Sequence, residues 1–151
     1  MKRLCAVLVV VVCCVVSFAY AADDKALPEE AVAMVERAAQ YIEQHGLKEA
    51  CQEFCDPQGK FIKGDMYVFV VNRVGTCLAN GGYPGLVGKN LMWVPSRDKK
   101  LMVREMILST RYNPDGWIVY KWENPVTKQV AEKSTYYRQV GDVVIACGVY
   151  E

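Results

Sequence analysis

Three segments rich in β-branched and aromatic residues follow one another near the end of the chain, separated only by short connections. They are residues 117–122, 134–140 and 143–149. Such composition is typical of β-strands. The connection over residues 123–127 contains Pro125 and predicts a hairpin loop between the first two segments. Strands joined in this way favour an antiparallel sheet.

Two further strands are predicted earlier in the chain, over residues 66–71 and 76–79, joined by a turn. Helical spacing of apolar residues predicts a first helix from Leu27 to about Glu53, with a break at Gly46, and a second helix over residues 99–110. The order is helix, two strands, loop and helix, three strands. We therefore expect an α+β fold, in which a five-stranded antiparallel sheet carries helices on one side.

The N-terminus has the pattern of an export signal. Lys2 and Arg3 precede an apolar stretch that extends to Ala22, and residues 19–21 form a small-x-small cleavage site. We predict a signal peptide over residues 1–21 and a single domain over residues 22–151, placed in the periplasm or secreted. The alternative is an uncleaved membrane anchor, because the apolar stretch approaches the roughly 20 residues that span a bilayer.

Charge and cysteine content narrow the function classes. Without the two basic residues of the signal segment, 16 basic and 17 acidic residues remain, and no basic stripe indicates a nucleic-acid partner. Four cysteines also remain, and their pairing is left open among three possibilities; they are Cys51, Cys55, Cys77 and Cys147. We expect the last two to be small buried hydrophobic residues, because they lie in apolar strands.

No pattern of catalytic residues stands out, so we expect no enzyme and no cofactor. The serines that follow the signal segment lie outside any G-x-S-x-G elbow. His45 is the only histidine, and its place on a predicted helix makes a zinc site or a histidine-based catalytic pair unexpected.

Aromatic and polar residues on the predicted sheet and its adjacent loop instead suggest a pocket for a small polar ligand. The candidate ligand-binding residues are Tyr67, Trp93, Trp117, Tyr120, Lys133 and Tyr136. Lys133 and the tyrosines have the donors that a carboxylate requires. The alternative is that the aromatic residues are core and that Lys133 is solvated. In a regular strand Lys133 and Tyr136 would point to opposite faces, and they converge only if the strand starts later or contains a bulge.

Six segments, taken in order, resemble the single Cache domain family. In the first half they are Gly64-Asp65-Met66-Tyr67-Val68-Phe69-Val70, Gly75-Thr76-Cys77-Leu78-Ala79-Asn80 and Leu86-Val87-Gly88-Lys89-Asn90-Leu91. In the second half they are residues 116–125, 133–136 and 145–150. No one segment is specific, but the ordered set is, and it covers roughly the whole chain after the signal segment. Asn80 departs from the pattern, since the family often has a histidine there.

The resemblance implies a PAS-like extracytoplasmic fold with a long N-terminal helix and a pocket between the sheet and a loop-helix segment. It also implies that the candidate residues line this pocket, with Trp93 in the loop above it. Family members sense small molecules, often short carboxylates, in chemoreceptors and histidine kinases. Because residue 151 follows the last strand directly, we expect a free-standing domain that signals through a membrane receptor or histidine kinase.

Three function hypotheses remain open. The first is a binding and sensory module for a short organic acid. The second is an interaction module that has lost its ligand and docks on a receptor or enzyme. The third is a thiol-based sensor built on Cys51 and Cys55, which would require free thiols of lowered pKa.

Overall fold

The computed structural model describes residues 26–151, and the predicted signal peptide lies outside these residues. The helices are α1 (Pro28–His45), α2 (Leu47–Phe54) and α3 (Met102–Ser109). The strands are β1 (Ile62–Lys63), β2 (Met66–Asn72), β3 (Cys77–Asn80), β4 (Asp115–Glu123), β5 (Val130–Val140) and β6 (Val143–Tyr150). Within this described part, no helix combines the length and apolar character needed to cross a membrane.

The first helix begins and breaks where the sequence predicts. Pro28 occupies the first turn, and the Glu30 carboxylate accepts a hydrogen bond from the Leu27 amide at 3.2 Å, which satisfies an amide that the helix itself leaves unpaired. Gly46 ends α1 with a φ of 79°, a conformation that favours glycine. α1 and α2 are therefore separate helices rather than one long one.

The strands form an antiparallel sheet in the order β1-β2-β6-β5-β4, with β3 also paired to β2. Two short-range connections establish the register. The turn at residues 141–142 pairs Val140 with Val143 and, further along, Lys133 with Tyr150. The β4–β5 hairpin pairs Tyr120 with the same Lys133. Three neighbouring strands thus place Tyr120, Lys133 and Tyr150 side by side.

Helices cover both faces of the sheet, which corrects the expectation that all helices lie on one side. α1 and α2 pack on the face that carries Val68 and Val70, whereas α3 packs on the face that carries Phe69 and Val71. The reason is burial, because every residue of β6 is buried and a strand apolar on both faces requires a cover on each. The α+β class and the antiparallel sheet are confirmed.

Candidate functional site

Lys133 is the most unusual residue of the sheet interior. Its side chain is completely buried, and within residues 26–151 its Nζ atom has no hydrogen-bond partner. The amine instead faces aromatic rings, 3.9 Å from the centroid of Tyr67 and 4.8 Å from that of Tyr150. An unpaired buried amine is costly to folding, and such costs are commonly found where a protein binds a ligand.

The position of Lys133 depends on Gly148, which lies opposite Thr135 in the neighbouring strand. A Cβ atom at Gly148 would lie 2.4 Å from the Thr135 Oγ1 and 2.7 Å from the Lys133 Cε. The missing side chain therefore leaves the space through which the lysine stem crosses β6 toward Tyr67. This close approach explains why glycine occupies a position in the middle of a buried strand.

Hydroxyl groups surround the amine. The Thr135 Oγ1 donates a hydrogen bond to the Tyr120 hydroxyl at 3.1 Å. The Tyr150 hydroxyl donates to the carbonyl of Glu123 at 2.9 Å. Burial raises the pKa of Tyr67, Tyr120 and Tyr150, so these phenols stay protonated at physiological pH and keep a hydrogen to donate. We call Tyr67, Tyr120, Lys133, Thr135 and Tyr150 the Lys133 site.

Electrostatics distinguish Lys133 from an ordinary lysine. Burial lowers the pKa of its amine to about 7, although the nearby Cys147 and Asp65 act in the opposite direction. The Asp65 carboxylate accepts a hydrogen bond from the side chain of Asn124 at 2.7 Å. Near neutral pH the amine is therefore close to equally divided between its charged and neutral forms.

A small cavity lies beside the Lys133 site and shares Tyr67 and Tyr120 with it. Its volume is about 10 Å³, which is room for about one water molecule. Its remaining lining residues come from the sheet and from the covering segment, and they are Phe69, Asn80, Leu86, Leu91, Met102 and Trp122. The cavity therefore has to expand before an organic molecule enters.

The segment over the cavity is attached to the sheet by backbone hydrogen bonds and by the side chain of Tyr83. Its hydroxyl donates a hydrogen bond to the carbonyl of Glu123 at 2.6 Å, and its ring packs edge-on against Tyr67 and Trp122. We call residues 81–101 together with α3 the lid. A groove of about 370 Å³ lies on the outer side of Tyr83 and Trp122 and contains Arg97.

The structure brings together three of the six candidate residues, namely Tyr67, Tyr120 and Lys133. It places the other three outside the Lys133 site. β5 is regular, without the bulge that convergence requires, so Tyr136 lies on the opposite face of the sheet from Lys133 and packs against the core under α1. Trp117 lies on this same opposite face, beside Tyr136, with 5.4 Å between the ring centroids.

Trp93 lies on the outside of the lid, where 68% of its surface is exposed and Arg104 stacks on its ring at 4.9 Å. It therefore does not cover the cavity, whereas Leu86, Leu91 and Met102 do.

Tyr150 is the most informative residue that the sequence analysis missed. The two-residue turn after Val140 defines the register of β5 and β6, and counting outward from it pairs Lys133 with Tyr150. The signal was therefore present in the sequence. Gly148 and Tyr83 had no comparable signal, because their contacts depend on how distant strands and the lid approach one another.

The cysteines do not form the predicted kind of thiol site. Within residues 26–151 all four are free, and Cys77 and Cys147 are buried as expected. Burial raises the pKa of Cys51 to about 11, opposite to the lowered pKa that a thiol-based sensor requires.

Comparison with known proteins agrees with this architecture. The family model described as Single Cache domain 2 matches residues 21–151. No curated protein matches the chain significantly. The solved structure of a methyl-accepting chemotaxis protein from Vibrio parahaemolyticus is similar with a TM-score of 0.69 at 19% identity, over 81% of this chain and 86% of that one.

Two further solved structures share the fold. A Cache chemosensory domain studied for carboxylic acid recognition has a TM-score of 0.69 at 18% identity, over 81% of this chain and 91% of that one. The periplasmic sensor domain of a chemotaxis protein has a TM-score of 0.63 at 19% identity, over 81% and 88% respectively. Because the family model matches residues 21–151, this chain belongs to the single Cache domain family.

Proposed function

We propose that this protein is an extracytoplasmic sensory module that binds a short organic acid at the Lys133 site and acts through a separate partner. The observation that carries the proposal is the buried, unpaired amine of Lys133 among the hydroxyls of Tyr67, Tyr120 and Tyr150. The Lys133 amine is a donor without an acceptor, and an ionised carboxylate has the lone pairs that would accept its hydrogen bonds.

Two other considerations support the proposal. The extracytoplasmic location rests on the predicted signal segment and on the family. A carboxylate also suits the fold, because one solved Cache domain of similar structure is described by its recognition of carboxylic acids. We propose a membrane receptor or histidine kinase as the partner, since proteins of this family provide the sensor domains of chemoreceptors.

Binding is tested by a thermal-shift screen of the purified protein against short carboxylates, amino acids and other small metabolites. A ligand at 100 times its dissociation constant stabilises the fold by about 2.7 kcal/mol, which raises the melting temperature by several degrees. We expect at least one short carboxylate to produce this shift, and the variant Lys133→Met to lose about 1.5–3 kcal/mol of the binding free energy.

The matched control is Lys121→Met, which removes an exposed lysine from the neighbouring strand β4 and is expected to retain binding. If a carboxylate stabilises the wild type and the Lys133→Met variant equally, the Lys133 site is not where it binds.

The size of the cavity favours a second candidate, the interaction module without a ligand. A volume of about 10 Å³ is far below that of a ligand pocket. A folded protein that no member of the panel stabilises, together with a protein partner captured through the domain, would favour this second function.

A further inference from the structure

The Lys133 amine lies in a place that favours its uncharged form. It is completely buried and has no hydrogen-bond acceptor among residues 26–151. The faces of Tyr67 and Tyr150 offer a weak attraction for a cation. Desolvation of an isolated ammonium costs more than this. With the lid closed and no anion present, the neutral amine is therefore stable near neutral pH.

The groups that face the amine leave it as the one that titrates near neutrality. The titratable groups around Lys133 are Asp65, Tyr67, Tyr83, Tyr120, Cys147 and Tyr150. Burial raises the pKa of the four tyrosines and of Cys147, so these groups remain protonated between pH 6 and 8.5. The lid, which includes α3, contributes apolar side chains such as Leu91 and Met102.

An anion placed against the amine reverses this preference. A carboxylate within hydrogen-bonding distance favours the ammonium form by direct attraction, and the effect is strong because the site excludes water. Asp65 does not have this role, since its carboxylate is hydrogen-bonded to Asn124. The empty site and the filled site therefore differ by about half a proton on Lys133 at pH 7, and this difference approaches one proton at more alkaline pH.

We infer that ligand capture at the Lys133 site is coupled to the uptake of up to one proton, so that the domain binds an anion and a proton together. This inference rests on the proposed function, because it assumes that the ligand is a carboxylate. The pH is then a second input to the sensor, because the same ligand concentration fills the site to a smaller extent as the surroundings become alkaline.

The size of the effect follows from the titration of the empty site. With the amine half protonated at about pH 7, affinity is nearly constant below that pH and falls about tenfold per pH unit above it. Between pH 6 and 8.5 the dissociation constant of a carboxylate should increase about 30-fold. Simple acids such as acetate are fully ionised over this range, so their own titration does not contribute.

The experiment follows the lysine side chains of the purified protein, labelled with ¹⁵N and ¹³C on lysine, by NMR from pH 6 to 10.5. The probes are acetate, propionate and pyruvate. Comparison with Lys133→Met assigns the Lys133 signal, and Lys121→Met is the exposed control. We expect Lys133 to titrate near pH 7 without a probe, and its midpoint to move upward as the concentration of at least one probe increases.

Each outcome decides the matter. A Lys133 midpoint near the ordinary lysine value, with a carboxylate still bound in a Lys133-dependent way, would overturn the coupling and leave the proposed function intact. A midpoint near pH 7 that none of the three probes moves would overturn both proposals. A midpoint that moves upward with a probe, together with the 30-fold change in its dissociation constant, supports the coupling.

Discussion

Lys133 illustrates at the scale of a single residue how the burial of an unpaired amine costs stability. Its amine is buried without an acceptor among residues 26–151, and burial lowers its pKa to about 7. The unfolded chain therefore binds more protons than the folded protein between pH 7 and the ordinary pKa of lysine. The cost of burial is complete below pH 7 and decreases as the pH rises, by about 1.4 kcal/mol per unit.

Replacing Lys133 with Met tests this cost, because Met keeps an unbranched side chain and lacks the amine. We expect Lys133→Met to increase the free energy of unfolding by at least about 1 kcal/mol at pH 7. This advantage should shrink by about 1–2 kcal/mol between pH 7 and 8.5. Urea denaturation of both proteins at the two pH values measures the difference. Contributions from the titration of the cysteines cancel in the difference between the two proteins, since both contain the same cysteines.

If Lys133→Met increased the free energy of unfolding equally at pH 7 and 8.5, the prediction would be contradicted. Such a result would mean that the amine keeps its charge in the folded protein, and the coupling of ligand to proton would lose its basis.

At the scale of elements, the lid is attached to the sheet at separate points, whereas the central strands are hydrogen-bonded along their length on both sides. β2 and β6 pair over five positions, from Val68 with Cys147 to Asn72 with Val143. Backbone hydrogen bonds join the lid to β3 at Gly88 and Lys89 and to β4 at Arg97. Between Gly81 and Gly88 the Tyr83 side chain attaches the lid, through its hydrogen bond to Glu123 and its apolar packing. Segments with few such contacts open more readily than core strands.

The variant Tyr83→Phe is expected to loosen the lid and leave the sheet unchanged. It keeps the ring and removes the hydroxyl that donates to Glu123, a loss of about 0.5–1.5 kcal/mol. Amide hydrogen exchange should accelerate by up to about tenfold in residues 83–87 and stay constant in β2 and β6. Tyr112→Phe is the control, because Tyr112 is 86% exposed. Equal exchange in residues 83–87 of wild type and Tyr83→Phe would show that the Tyr83 hydroxyl does not hold this part of the lid.

Helix and strand positions were largely predictable from the sequence at this scale. The break at Gly46, the strand over residues 66–71 and the three late strands are confirmed, because each depends on local composition and turns. The position of α3 on the second face was not predicted. It follows from the burial of β2 and β6 on both faces, which depends on their central place in the sheet.

At the scale of the whole molecule, two thiols report on global unfolding. Cys77 and Cys147 are free and fully buried, and burial raises their pKa to about 11 and about 12. Thiolates are the species that react with disulfide reagents, so both groups are protected by burial and by protonation. Cys51 and Cys55 are only partly buried.

We expect Cys77 and Cys147 to react with an aromatic disulfide reagent only when the protein unfolds globally. At pH 8 both cysteines should label more slowly in the folded protein than in the unfolded chain. The factor should be the same for both and should follow the equilibrium constant for unfolding. Mass spectrometry of labelled peptides distinguishes each cysteine, and Cys55 is the internal comparison that reacts earlier. Labelling of Cys147 as fast as that of Cys55 in the native protein would be incompatible with a closed core.

Some features of the candidate site depend on residues close together in the chain, and others depend on residues far apart in it. The sequence by itself determined the helices, the strands, the alternation that places Lys133 and Tyr136 on opposite faces, and the hairpin register that pairs Lys133 with Tyr120 and Tyr150. These depend on side-chain periodicity and on short turns, which act over a few residues.

Only the tertiary structure decided that Lys133 is buried, that Tyr67 lies under its amine and that the lid closes the cavity. β2 reaches the site from more than 60 residues earlier in the chain, and its place beside β6 depends on the burial of both faces. The absence of a side chain at Gly148 then lets the lysine cross to Tyr67. Burial of this kind is a property of the packed sheet, because no single segment excludes water from the amine.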